Sequence, residues 1–138
     1  TPCGTLFPYT TLFRSASAMV PFDREAVKEA TMDRELDVIV DFCVVPVGVG
    51  TSVSEHVAAC ERVLEDAGLT HTMHAYGTNV EGPWDAVMAA VKRCHEVVHA
   101  MGAPRISTSM RVGTRVDRPQ TMADKIRSVE EKLASRNG

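Results

Sequence analysis

Residues 78–84 mark the point where a strand passes into a helix, and they read Thr78-Asn79-Val80-Glu81-Gly82-Pro83-Trp84. Gly82 suits the N-cap and Pro83 suits the first helical position, where a missing N–H costs nothing. We therefore expect Glu81 to end a strand and Trp84 to begin a helix. A carboxylate and an aromatic ring beside the free N–H groups of a helix start suit a flat, nitrogen-rich or cationic small molecule. The alternative, in which Trp84 is a core residue and Glu81 a solvated strand end, stays open.

The bulk composition excludes several classes of protein. A chain of 138 residues with 44% hydrophobic and 24% charged residues fits one globular domain. A net charge of -3 gives no reason to expect nucleic acid or an anionic membrane as a partner. Apolar runs fall short of the roughly 20 residues that a membrane-spanning helix requires. The four cysteines show no C-x-x-C spacing, which favours free thiols and a cytoplasmic location.

The first 35 residues differ from the rest of the chain. They show no sustained hydrophobic period, and no basic start precedes an apolar run of the signal-peptide kind. We expect residues 1–35 to be a disordered or non-native extension that contains at most a short helix from Asp23 to Met32. The folded domain is then expected over residues 36–136.

Hydrophobic patterns predict the elements that follow this extension. The run from Asp37 to Val47 is almost continuously apolar, which predicts a strand buried on both faces. Ser52 and Glu55 have the S-x-x-E form of a capping box, so we expect a helix from there to Gly68. The later elements are a strand at 69–77, a short strand at 78–81, a helix at 83–101, a strand at 105–115 and a last helix behind the capping box of Thr121 and Asp124.

Two later patterns concern exposed surface. One face of the strand at 105–115 is polar, which predicts a wet or ligand-bearing surface, and it carries Ser107, Ser109, Arg111 and Gly113. The last helix has a narrow apolar stripe typical of a peripheral helix, formed by Met122, Ile126, Val129 and Leu133.

The order of elements defines the expected fold class. Strand, helix, strand, strand, helix, strand and helix match an α+β, ferredoxin-like βαββαβ antiparallel sheet with an extra C-terminal helix. Two helices would cover one sheet face and leave the other open. At about 25 cal/mol per Å², leaving several hundred Å² of apolar surface wet would forgo several kcal/mol. We therefore expect the open face to pack on another copy, as a dimer or a tetramer, with the ligand site beside that contact.

Several chemistries find little support in the residues. His95 and His99 lie at i and i+4 of a helix, but no suitably spaced acid or cysteine completes a metal site, so no metal is expected. The segment 48–50, Gly-Val-Gly, is too short for a phosphate loop. An enzyme acting on a pyrimidine-like metabolite would need Glu81 or His74 as general base, and nothing in the sequence visibly tunes either one. That alternative stays open, as does a purely structural or regulatory module.

Three motifs in order carry a resemblance to a known family. They lie at 45–54, 76–88 and 111–115 and read VPVGVGTSVS, YGTNVEGPWDAVM and RVGTR. On these motifs the chain from about Leu36 to Leu133 resembles the small thiamine-binding protein family of bacteria, archaea and yeast. The resemblance implies a ferredoxin-like homotetramer that binds thiamine or its hydroxymethylpyrimidine portion without known catalysis.

The resemblance also implies roles for particular side chains. Glu81 would accept a hydrogen bond from the exocyclic amine of the pyrimidine or favour a protonated ring nitrogen. Trp84 would stack on a ring, and neutral hydrogen bonds would come from Thr51, Ser54, Thr78 and Asn79. We accordingly expect a non-enzymatic binding protein with thiamine as bound ligand and no cofactor. Its partners would be the small molecule and further copies of the chain, with neither nucleic acid nor membrane.

Overall fold

The computed structural model of this chain describes residues 23–31 and 35–137. Contacts divide the chain into two units, residues 1–34 and 35–138. In the first unit, helix α1 spans Arg24–Thr31, and the Asp23 carboxylate accepts a hydrogen bond from the Glu25 N–H at 2.9 Å. The expected extension over residues 1–35 stays a prediction, because residues 1–22 and 32–34 lie outside the described residues.

The described part of the second unit has four strands and three α-helices. They are β1 (Asp37–Val47), α2 (Ser54–Asp66), β2 (Thr70–His74), β3 (Gly77–Pro83), α3 (Trp84–Ala100), β4 (Arg105–Thr114) and α4 (Met122–Ala134), followed by a 3-10 turn at Ser135–Asn137. The strands form one antiparallel sheet in the order β2-β3-β1-β4. The predicted ferredoxin-like arrangement with an extra C-terminal helix is confirmed. Within 23–31 and 35–137, no helix is both long and apolar enough to cross a membrane.

The two faces of the sheet differ in burial. Even-numbered residues of β1 face α2 and α3, and Val38, Val40 and Phe42 are buried there in a core that includes Leu64 of α2. Odd-numbered residues lie on the opposite side, here called the open face. There Ile39 is only partly buried, so the prediction that β1 is buried on both faces is wrong for the single chain. The reason is that both covering helices, α2 and α3, lie on the other side of the sheet.

The register of β4 confirms one prediction about this surface. Arg111 pairs with Asp41, and Gly113 pairs with Ile39. Directly paired residues of antiparallel strands share a face, so the polar side of β4 lies on the open face. The central strand thus runs between polar neighbours on the side that the helices leave uncovered.

Two predicted helix N-caps are each wrong by one residue. Helix α2 has Val53 as its N-cap without a side-chain cap, and the Ser52 hydroxyl lies 3.2 Å from that of Ser54 instead of capping the helix. In α3 the N-cap is Pro83, because Gly82 still pairs with Val38 as part of β3. In both cases the chain outside the helix is held by another interaction, which moves the helix start towards the C-terminus.

Helix α4 begins as the sequence predicts. The Thr121 hydroxyl accepts a hydrogen bond from the Asp124 N–H at 3.1 Å, and the Asp124 carboxylate accepts one from the Thr121 N–H at 2.9 Å. This capping box fixes the first turn. No residue of α4 is buried, so its apolar stripe lies on the surface of the single chain.

Candidate ligand site at one corner of the open face

A pocket of about 500 Å³ lies where β1 begins and where β3 and β4 end. Its floor is one row of the sheet, because Ile39 pairs with Glu81 on one side and with Gly113 on the other. The rest of its wall comes from the segment that leads into α4 and from the first turn of that helix, and the lining residues there are Arg115, Pro119, Gln120, Thr121 and Lys125. The pocket therefore joins the end of the sheet to the start of the last helix.

Glu81 links these two parts of the pocket. Its Oε2 accepts a hydrogen bond from the backbone N–H of Met122, the first residue of α4, at 2.6 Å. A carboxylate is favourable there because the first N–H groups of a helix carry partial positive charge. No group among the described residues donates a hydrogen bond to the other oxygen, Oε1. One oxygen thus holds the helix, and the second is available to a ligand.

The two cations at the rim differ in how they are engaged. Arg115 binds both oxygens of Asp117, at 2.5 and 2.7 Å, and also donates to the Gln120 side chain at 2.9 Å. This pairing lowers the pKa of Asp117 to about 2. Lys125, in contrast, forms no ion pair with any described residue. Asp37 also lines the pocket. The pocket therefore presents the half-engaged carboxylate of Glu81, a second acidic residue and one unpaired ammonium group.

A second polar cluster lies near the middle of the open face. Asp41 accepts hydrogen bonds from Arg111, whose Nε lies 3.0 Å away, and from His74 Nε2 at 2.7 Å. These donors, Arg111 first, hold the pKa of Asp41 below its ordinary value. The Tyr76 N–H donates to His74 Nδ1 at 3.3 Å, so both ring nitrogens of His74 are engaged. His74 is therefore not free to act as the general base that the enzyme hypothesis needs.

The structure separates the four residues predicted from the central motif. Glu81 lines the pocket, and Asn79 lies one row away on the same face, opposite Asp41. Thr78 is buried on the helix side, where its hydroxyl donates to Glu61 at 2.5 Å. Trp84 begins α3 with 38% of its surface exposed and does not line the pocket.

Thr51 and Ser54 lie at the other end of the domain. Both follow the end of β1 at Val47, which is eight residues, or roughly 26 Å, from Ile39 along the strand. A single chain therefore does not bring them to Glu81, and their role stays a prediction. Sequence reasoning in turn missed Arg115 and Lys125. The signals were the RVGTR motif, which contains Arg115 without giving it a role, and the capping box of Thr121, which marks a helix start but not its return to the sheet.

The paired histidines of α3 have other partners. His95 Nε2 lies 2.7 Å from the Thr108 hydroxyl, and His99 Nδ1 lies 2.8 Å from the Ala103 carbonyl oxygen. In the parts of the chain that the structure describes, no three His, Cys, Asp or Glu residues are grouped to hold a metal ion.

Comparison with known proteins assigns this domain to a family. The family described as thiamine-binding protein matches residues 40–130. The chain belongs to this family. Among its relatives, a UPF0045 protein of Synechocystis is 69% identical over 97 residues, which cover 70% of this chain and 80% of the relative. A UPF0045 protein of Eremothecium gossypii is 46% identical over 101 residues, which cover 72% of this chain and 96% of the relative. The resemblance proposed from the three motifs is confirmed.

Solved structures agree with the fold of this thiamine-binding family member. A hypothetical protein of Methanocaldococcus jannaschii superposes with a TM-score of 0.64 at 28% identity, covering 69% of this chain and 97% of that one. A Thermotoga maritima protein described as a putative thiamine biosynthesis/salvage protein gives a TM-score of 0.58 at 19% identity. The match covers 67% of this chain and 98% of that one. At that identity the second likeness concerns the fold alone.

Proposed function

We propose that this chain binds thiamine, or a related aminopyrimidine such as hydroxymethylpyrimidine, in the pocket beside Glu81. The observation that carries the proposal is the Glu81 carboxylate, which is held by the Met122 N–H through one oxygen and keeps the other for a ligand. An exocyclic amine donating to that oxygen makes a charge-assisted hydrogen bond, the stronger kind. Membership of the thiamine-binding family supports the same ligand class.

We place this site at a seam between two copies, in a dimer or a homotetramer. The uncovered open face supports a seam there, because stacked sheets pack about 10 Å apart and bury such surfaces. If a two-fold axis turns the partner end for end, the far end of the partner's β1 lies over the pocket corner. The partner's Thr51 and Ser54 then approach Glu81, which would complete the predicted set.

Binding without catalysis fits the two residues considered as general bases. His74 has both ring nitrogens engaged, and one oxygen of Glu81 holds a helix start, so neither is arranged as a free general base. We therefore propose a buffer, carrier or sensor of the vitamin that uses no further cofactor. A cytoplasmic location is part of this proposal, because Cys43, Cys60 and Cys94 are free thiols.

Isothermal titration with thiamine tests the proposal. Glu81→Gln keeps an acceptor for the Met122 N–H but removes the charge, so we expect binding to weaken about tenfold or more. Glu65→Gln, an exposed position of α2, is the matched control and should bind like the native protein. Quenching of Trp84, the only tryptophan, gives a second readout. Absence of binding at millimolar thiamine would overturn the proposal.

A further inference from the structure

Helix α4 presents an apolar stripe that residues 35–137 do not cover. Ile126, Val129 and Leu133 are 59%, 57% and 60% exposed, and they recur on one side of the helix. A helix of 13 residues is marginally stable alone in water. The stripe therefore calls for a covering surface that residues 35–137 of one copy do not supply.

The open face carries an apolar patch at the far end of β1. Val45 and Val47 are 44% and 42% exposed there. Arg105 pairs with Val47 across the β1–β4 ladder and so borders the patch on the same face. Arg105 forms no ion pair with any residue of the described ranges.

The stripe of α4 is bordered by the opposite charge. Glu130 lies four residues after Ile126 and three before Leu133, and these spacings place it beside the stripe. Within the described residues Glu130 also has no ion-pair partner. One chain thus carries an apolar stripe edged by an unpaired carboxylate and an apolar patch edged by an unpaired guanidinium. In a symmetric pair, the stripe of each copy would cover the patch of the other, so both contacts would form twice.

We infer that α4 of one copy packs its stripe on the Val45–Val47 patch of a second copy, with Glu130 paired to the partner's Arg105. This inference rests on the seam between copies that the proposed function includes. Helix α4 starts at the pocket corner and is about 20 Å long. The end-for-end arrangement lays the far end of the partner's β1 over that corner, within reach of the stripe.

This docking makes the second copy part of the ligand site. Thr121, the N-cap of α4, and Lys125, in its first turn, line the pocket. The position of that wall depends on α4, whose start is held by Glu81 within the chain and whose stripe, in this docking, is covered by the partner. Ligand binding and self-association are then coupled, and each strengthens the other by the same factor.

Sedimentation equilibrium of four full-length proteins tests the docking: native, Glu130→Arg, Arg105→Glu and the double variant. Each single reversal places like charges together, so we expect self-association to weaken about tenfold or more. The double variant restores opposite charges and should return to within about threefold of native. Glu131→Arg, on the polar side of α4, should associate like the native protein.

The outcomes separate this inference from the proposed function. If the native protein is monomeric, or if the single reversals leave association unchanged, or if the double variant fails to restore it, the docking is overturned. Thiamine titration of the same samples then judges the ligand independently. Association that follows the charge pattern without thiamine binding supports the docking and removes thiamine as ligand. Thiamine binding together with association that the charge reversals leave unchanged supports thiamine as the ligand and overturns the docking.

Discussion

At the residue scale, Gly77 shows how a missing side chain permits the β2–β3 connection. A Cβ at this position would lie 2.6 Å from the Phe42 carbonyl oxygen and 3.2 Å from its carbon. Both atoms belong to the backbone of β1, so no side-chain rotation can relieve the contact. The position therefore excludes every other residue unless the central strand moves.

Gly77→Ala should accordingly destabilise the domain. We expect the free energy of unfolding to fall by about 1–3 kcal/mol, the usual cost of overpacking. Urea denaturation followed by circular dichroism measures it. Gly113→Ala is the control, because a Cβ there would meet the Ile39 carbonyl oxygen at an ordinary 3.8 Å. Equal effects of the two substitutions would contradict the steric explanation.

The ion pairs of Asp41 lead us to expect that acid lowers the free energy of unfolding. Arg111 and His74 hold its pKa below the ordinary value of 3.8 in the folded protein. The unfolded chain therefore binds a proton at higher pH than the folded one. The contribution of Asp41 to stability is present above about pH 4 and is lost as pH falls through the folded pKa.

Asp41→Asn removes this titration. Between about pH 5 and pH 2, the variant should lose less unfolding free energy than the native protein, as measured by urea denaturation at each pH. Arg111→Gln removes the strongest cause of the shift and should also flatten the profile. Parallel pH profiles for native protein and both variants would show that the cluster does not matter for acid stability.

At the element scale, the capping box connects the stability of α4 to the ligand pocket. Thr121→Ala removes the acceptor for the Asp124 N–H and should cost about 1 kcal/mol of helix stability. We expect faster amide hydrogen exchange along α4 and weaker thiamine binding, because Glu81 binds the same helix start. Thr121→Ser keeps the hydroxyl and should preserve both. Unchanged exchange in Thr121→Ala would contradict the capping role.

The same helix shows what a sequence can predict about elements. The capping box of Thr121 and the stripe through Ile126 are local patterns, and both were predicted correctly. Ser52 carries an equally good local pattern, but its hydroxyl lies beside that of Ser54 and the helix starts later. Local patterns thus predict that an element exists more reliably than they predict its first residue.

The candidate site was less predictable than the fold. Glu81 was predicted as a ligand residue because strand, glycine, proline and helix meet beside it in the sequence, and it does line the pocket. Lys125 lies 44 positions later and reaches the same pocket only because the segment after β4 returns to the end of β3. Thr78 was predicted as a ligand residue but lies away from the pocket, because strand alternation turns its side chain towards Glu61 on the helix side. The position of Lys125 depends on the path of the chain after β4, and that of Thr78 depends on the register of β3. No local sequence motif encodes either feature.

At the scale of the whole molecule, the open face and the stripe of α4 both suggest self-association. The odd-numbered side of β1 and the stripe of α4 are each partly apolar and belong to one chain. Within residues 35–137, covering both would require α4 to fold back across the sheet, and it does not do so. A second copy offers each surface its complement, which makes self-association the simplest way to bury both.

Thermal unfolding at several protein concentrations tests this view without any ligand. If two copies cover each other, the midpoint of unfolding rises with total protein concentration, because dissociation accompanies unfolding. Val129→Glu places a charge in the stripe of α4, so its midpoint should lie lower and should not depend on concentration. Lys132→Glu, at the polar edge of the same helix, should keep the native dependence. A native midpoint that is constant over a hundredfold dilution would mean that the open face and α4 stay uncovered in solution.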